Sequence, residues 1–186
     1  GRLHRGGDGE SAFRTELDAR VCCKSQSGRY RTGAGLSETA RQAVANCVLC
    51  DTTGGDLVWQ DARCRVIVAD EPDYPGFVRV VWQAHVAESS DLTVADRQHL
   101  LAVVDQVERV TRAVMTPDKI NLAALGNVVP HLHWHVIPRF RDDAHFPAPI
   151  WAESVRTVAP EVQQARRSAA LHLPARLHDS LQSELH

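Results

Sequence analysis

No apolar run in this chain of 186 residues approaches the roughly 20 that a bilayer-spanning helix needs. The N-terminus also lacks the apolar stretch of a secretory signal, so a soluble cytoplasmic protein is expected. An excess of positive charge is missing as well. Lys and Arg total 21 against 23 Asp and Glu, and the net charge of -2 gives no basis for general binding to nucleic acid or to a membrane surface. A polyanionic partner must therefore be met locally. There is no disulfide framework either: the five cysteines, at 22, 23, 47, 50 and 64, are odd in number and irregularly spaced, which argues against a stapled secreted fold. Internal repeats are absent.

What is present is an ordinary globular composition, 44% hydrophobic and 24% charged, enough for one domain with its own core plus terminal segments. Residues 1–46 are rich in Gly, Arg and Ser and carry no sustained period of 2 or 3.6, so they read as a poorly structured extension, with a short helix over SETARQAVA at its end. From Leu57 the pattern changes to short β-type runs, LVWQ, CRVIVA and GFVRVVW, separated by turn-rich segments such as DEPDYPG. A long amphipathic helix follows, with Leu100, Val104, Val107, Val110 and Val114 at helical spacing, Thr93 and Asp96 as an N-cap signal and Pro117 as a stop. INLAAL and the segment after GNVVP supply two more strands. The order predicts an α+β domain over 47–150, an antiparallel five-stranded sheet with one long helix, and a helical C-terminal extension over 151–186 divided by Pro174.

The segment HLHWHVIPRF carries the strongest chemical signal. In a strand, alternate side chains share a face, so His131, His133 and His135 form one row and Leu132, Trp134 and Val136 the other. Same-face neighbours lie roughly 6.5–7 Å apart, whereas bonds to zinc are only about 2.0 Å long, so three consecutive row members do not converge on one ion. Such a row suits a longer object, for example a chain of phosphates. Separately, Cys47 and Cys50 form a Cys-x-x-Cys pair, which reads as metal or thiol chemistry.

HLHWHVI resembles the His-x-His-x-His-x-x signature of the histidine triad (HIT) superfamily of nucleotide hydrolases and transferases. The order of the elements around it is similar too, over residues 47–150. The resemblance implies that His133 attacks the α-phosphorus of a nucleotide and that His135 contacts the scissile phosphate and its leaving oxygen. A backbone carbonyl near Gly126 would orient His133. Asn121 and Asn127 would approach the phosphates, and Asp70, with Asp73 as the alternative, would hold the ribose. It further implies a structural zinc ion held by Cys47, Cys50, His85 and His131, homodimers formed edge to edge, and dinucleoside polyphosphates or nucleoside phosphoramidates as substrates. Arg139 and Arg141 are candidates for additional phosphates, since guanidinium suits phosphate oxygens. Two positions depart from the pattern: Gly76-Phe77 stands where many members have Gly-His, and Val128 where Ser or Thr is usual. Their loss predicts an altered leaving-group preference or, in the alternative reading, a zinc-stabilised nucleotide-binding module with weak or no catalysis.

Overall fold

Thr93 starts the longest helix by accepting a hydrogen bond from the Asp96 amide, 3.2 Å away, as an N-cap should. The helix, α2 (Val94–Met115), stops at Thr116, which takes a left-handed conformation one residue before Pro117. In this computed structural model, which describes residues 47–184, α2 lies against a sheet of five strands. These are β1 (Asp56–Gln60), β2 (Cys64–Val68), β3 (Val78–Trp82), β4 (Lys119–Ala123) and β5 (His133–Arg139). Their order is β1-β2-β3-β5-β4 and every pairing is antiparallel, as the sequence pattern predicts. The extension 1–46, its SETARQAVA helix and the Cys22–Cys23 pair lie outside the described residues. No described helix is long and apolar enough to cross a membrane.

Alternation divides the sheet into two unlike faces. Val66, Val78, Val80, Trp134 and Val136 point to the helical side and pack in one continuous cluster with Leu100, Val103, Val104 and Val107 of α2. Two further helices complete that side: α3 (Pro160–Ala170) and α4 (Leu173–Glu184), the latter opening with Pro174 in its first turn, where a missing N–H costs nothing. Leu173, Leu177 and Leu181 of α4 are almost fully buried in the same cluster. The C-terminal segment thus contributes to the central core, burying side chains worth roughly 1.5–3 kcal/mol each.

Among the described residues, the opposite face carries two small apolar groups. One joins Cys47, Leu49, Ile67 and Val81; the other joins Ala69, Tyr74, Phe77 and Ile137. Polar side chains occupy the sheet between them, and the candidate site lies there.

Candidate active site and metal centre

The short helix α1 (Val48–Asp51) brings its Cys-x-x-Cys pair together: Cys47 is the N-cap, and its carbonyl accepts from the amides of Cys50 (2.9 Å) and Asp51 (3.0 Å). One helical turn puts residues three apart on one side. His85 reaches the same point from the loop after β3, and His131 from the turn before β5. The ligand atoms of these four residues lie within 4.8 Å of one another. His131 Nδ1 is 3.5 Å from Cys47 Sγ and 3.4 Å from Cys50 Sγ, and His85 Nδ1 is 3.3 Å from Cys50 Sγ. A tetrahedral zinc, with bonds of about 2.3 Å to sulfur and 2.0 Å to nitrogen, sets S and N about 3.5 Å apart, so the donor set fits such an ion. The tautomer of His131 fits as well. Its Nε2–H donates to the Trp82 carbonyl at 2.6 Å, which leaves the Nδ1 lone pair facing the thiols. The four residues expected from the sequence as ligands are therefore brought together.

The histidine row itself differs from the expected one. β5 begins at His133, so His131 precedes the strand and its ring turns toward His85, 5.2 Å between centroids. His133 and His135 remain on one face, with their rings 4.7 Å apart and edge to face. Three regularly spaced histidines are thereby divided between two sites, because the strand ladder imposes alternation only from His133 onward.

His133 Nδ1 lies 2.6 Å from the carbonyl oxygen of His131. A carbonyl only accepts, so Nδ1 carries the proton and Nε2 keeps its lone pair. The acceptor that orients His133 is thus the backbone of His131, two residues away, rather than a carbonyl near Gly126. Burial, reinforced by the Arg79 charge and opposed by the bond to His131, holds the His133 pKa below the ordinary histidine value. His135 is pushed further down, to about 4, by burial, then by His133 and Arg79. Both rings are neutral at pH 7. His135 Nδ1 is buried and has no hydrogen-bond partner among the described residues.

Both histidines line a cavity of about 450 Å³. Asn127 and Gly126 line it from the β4–β5 loop, where Gly126 has the positive φ, 68°, that the turn requires. Gly54 lines it from the α1–β1 loop; at φ 82° it leaves no room for a Cβ, which would sit 2.6 Å from Leu49. Among the lining residues that were not foreseen are Arg79 of β3, paired in register with His135, and Trp151, whose ring meets His135 edge to face at 5.3 Å. A signal for Arg79 existed, since it is the lone charge in VRVVW and alternation sets it opposite Val78 and Val80. For Trp151 there was none. It lies one residue beyond the expected boundary at 150, in an irregular segment, and only the path of the chain brings it to the histidines.

Other expected residues lie elsewhere. Asn121 accepts from Arg139 NH1 at 2.6 Å, and it faces a neighbouring groove along β4 beyond Trp151. Asp70 and Asp73 are exposed in the β2–β3 turn and do not line the cavity. Arg139 is 1% exposed and fully engaged: its Nε and NH2 donate to Asp143 at 2.7 and 3.0 Å, and NH2 also donates to the Ala148 carbonyl at 2.8 Å. This buried ion pair secures the loop after β5 and, with Asn121, occupies four of the five guanidinium donors. Arg141, 82% exposed, faces Asp118 at 3.5 Å. Tyr74 and His145 hydrogen-bond each other. Cys64 is fully buried in the core, in keeping with a packing role.

Comparison with known proteins matches residues 53–142 to the family model described as HIT domain. The chain is 36% identical over 81 residues to an AP-4-A phosphorylase of Mycobacterium tuberculosis, covering 40% of this chain and 42% of that protein. It is 30% identical over 95 residues to an asymmetrical bis(5'-nucleosyl)-tetraphosphatase of Schizosaccharomyces pombe, covering 48% and 52%. The chain spans about half the length of these curated relatives. A histidine triad protein of Bradyrhizobium japonicum superposes with a TM-score of 0.51 at 30% identity, over 64% of this chain and 90% of that one.

Proposed function

The chain belongs to the histidine triad family, and on that premise we propose that it is an enzyme that cleaves dinucleoside polyphosphates at the α-phosphate, with His133 as nucleophile. The observation that carries this reading is the 2.6 Å bond from His133 Nδ1–H to the His131 carbonyl. It leaves Nε2 as the reactive nitrogen of a neutral ring at the wall of a cavity shared with His135 and Arg79. The tetraphosphatase and phosphorylase names of the relatives agree with that substrate class.

Two balanced steps follow. In the first, the Nε2 lone pair forms a bond to the α-phosphorus while the bond from phosphorus to the bridging oxygen breaks, and the departing nucleotide takes that electron pair. The nucleotidyl-imidazolium so formed keeps Nδ1–H, and the His131 carbonyl stabilises its positive charge. In the second, a water oxygen bonds to phosphorus, the P–N bond breaks, and neutral His133 returns with the water's proton lost to solvent. His135 contacts the scissile phosphate. An incoming anion raises its pKa, so that the ring can take a proton from solvent and donate it to the leaving oxygen. Asn127 reaches the phosphates from the loop wall of the cavity, while Asn121 and Asp70 contact parts of the substrate that extend past it, Asp70 at a ribose.

Cys47, Cys50, His85 and His131 hold zinc in this reading. A closed four-ligand ion contributes folding free energy and ties α1 to the loops flanking β3 and β5. Thiols serving as ligands must be reduced, in keeping with a cytoplasmic location. A homodimer joined edge to edge through β4 is part of the same proposal, since β4 ends the sheet and exposes Leu122.

The test is product chromatography on diadenosine tetraphosphate and adenosine 5'-phosphoramidate. Wild type is expected to release nucleotides and His133→Ala to release none. Wild-type binding without turnover would instead identify a nucleotide-binding module, a reading to which the apolar Phe77 beside His135 gives some weight.

A further inference from the structure

Arg79 is the one cation lining the histidine cavity among the described residues. It stands directly across from His135 in the β3–β5 ladder, and its charge is felt at both His133 and His135. Its own interactions are loose. NH2 reaches Glu71 at 3.3 Å in a pair whose acid is 40% exposed, and NH1 reaches the Gly54 carbonyl at 3.4 Å. Half-exposed ion pairs of this kind contribute little and exchange readily. The Nε–H is buried with no partner among the described residues. A buried donor without a partner is destabilising, so its retention calls for an explanation.

Phe77 supplies the rest of the geometry. Its ring centroid is 5.1 Å from the Arg79 guanidinium carbon and 5.3 Å from the His135 ring centroid. The aromatic residue at the departure position therefore holds the cation by its π face and backs His135 at the same time. What an imidazole at position 77 would offer, a polar group on this face, is offered two residues later by a permanent charge.

We infer that Arg79 is a specificity-determining residue that binds the phosphates of the departing nucleotide, so that the cavity selects polyphosphate leaving groups over uncharged ones. This rests on the function proposed above and narrows it to polyanionic leaving groups. Glu71 acts as a positioning residue that holds the guanidinium until a phosphate replaces it. A planar fork of donors matches phosphate oxygens, and charge developing on the bridging oxygen as its bond breaks is met beside His135.

The experiment compares wild type, Arg79→Met and Arg79→Lys on diadenosine tetraphosphate and on adenosine 5'-phosphoramidate, whose leaving group is ammonia rather than a polyanion. Arg79→Met is expected to lower kcat/KM about 100-fold on the polyphosphate and less than about fivefold on the phosphoramidate, with partial recovery in Arg79→Lys. Equal losses on both substrates, or no loss on either, would overturn the inference. A second measurement stands apart from turnover: titration of AMP and ATP into His133→Ala and into His133→Ala/Arg79→Met. The preference for ATP over AMP should fall about tenfold or more when Arg79 is removed; an unchanged preference rejects the role of Arg79. Failure of the parent reading looks different, because His133→Ala would then match wild type in turnover.

Discussion

The two faces of the sheet are built from the same strands, yet they are unlike. On the helical face, Val66, Val78, Val80 and Val136 join the leucines and valines of α2 and α4 in one unbroken apolar cluster. On the other face, two small apolar groups flank His133, His135 and Arg79. One residue of register would exchange the faces. The larger apolar core is on one side, and this frees the other to keep neutral imidazoles, an Arg79 Nε–H with no partner among the described residues and an open cavity that a well-packed core would not tolerate.

The sharpest way to separate the faces is His133→Ala. Its expected effect is a fall in kcat of about a thousandfold or more with a change in unfolding free energy below about 1 kcal/mol, read by product release and urea titration. A matching collapse in stability would mean that the histidine face also carries the fold. Metal removal tests the exception, since the Cys47, Cys50, His85 and His131 cluster lies on the chemical side but is proposed to serve structure. For zinc at a thousandfold its Kd the ion stabilises by about 4 kcal/mol, so chelation should lower the Tm before it lowers the rate per folded molecule. Loss of activity at unchanged Tm would make the metal catalytic.

On the helical face, Leu177→Ala is expected to cost about 2–5 kcal/mol by opening a cavity, with kcat/KM of the folded fraction unchanged. Calorimetry and kinetics on the same sample check both halves. The smallest expected effect concerns pH. His135 goes from the ordinary 6.5 to about 4 on folding, so between those values the unfolded chain binds more protons. Its contribution is fully present above about 6.5 and is lost as pH falls through about 4, amounting to at most about 3 kcal/mol. His135→Gln should flatten the slope of stability against pH in that window; an unaltered slope would assign it to other groups.

Much of this was legible along the chain. The resemblance to the histidine triad pattern implied that Cys47, Cys50, His85 and His131 share one cluster, and their ligand atoms do meet within 4.8 Å. Alternation marked His133 and His135 as neighbours on one face. The Thr93 cap and Pro117 bounded α2 because caps and breakers act within a few residues. Less legible were the partners of charged groups. Arg139 reads like an exposed phosphate binder beside the triad, but it is buried against Asp143 and Asn121, and among the described residues the cation lining the cavity is Arg79.

By itself, then, the sequence determined the periodicities, the helix ends, the ligand types and the residues able to do phosphate chemistry, all properties of short range. Tertiary structure decided which nitrogen of His133 keeps its lone pair, through the His131 carbonyl. It also decided which arginine remains available, and that Trp151 and α4 belong to the site and the core. Those outcomes depend on contacts between distant segments, where burial and the obligation to satisfy each polar group select among candidates that look equivalent in the linear chain.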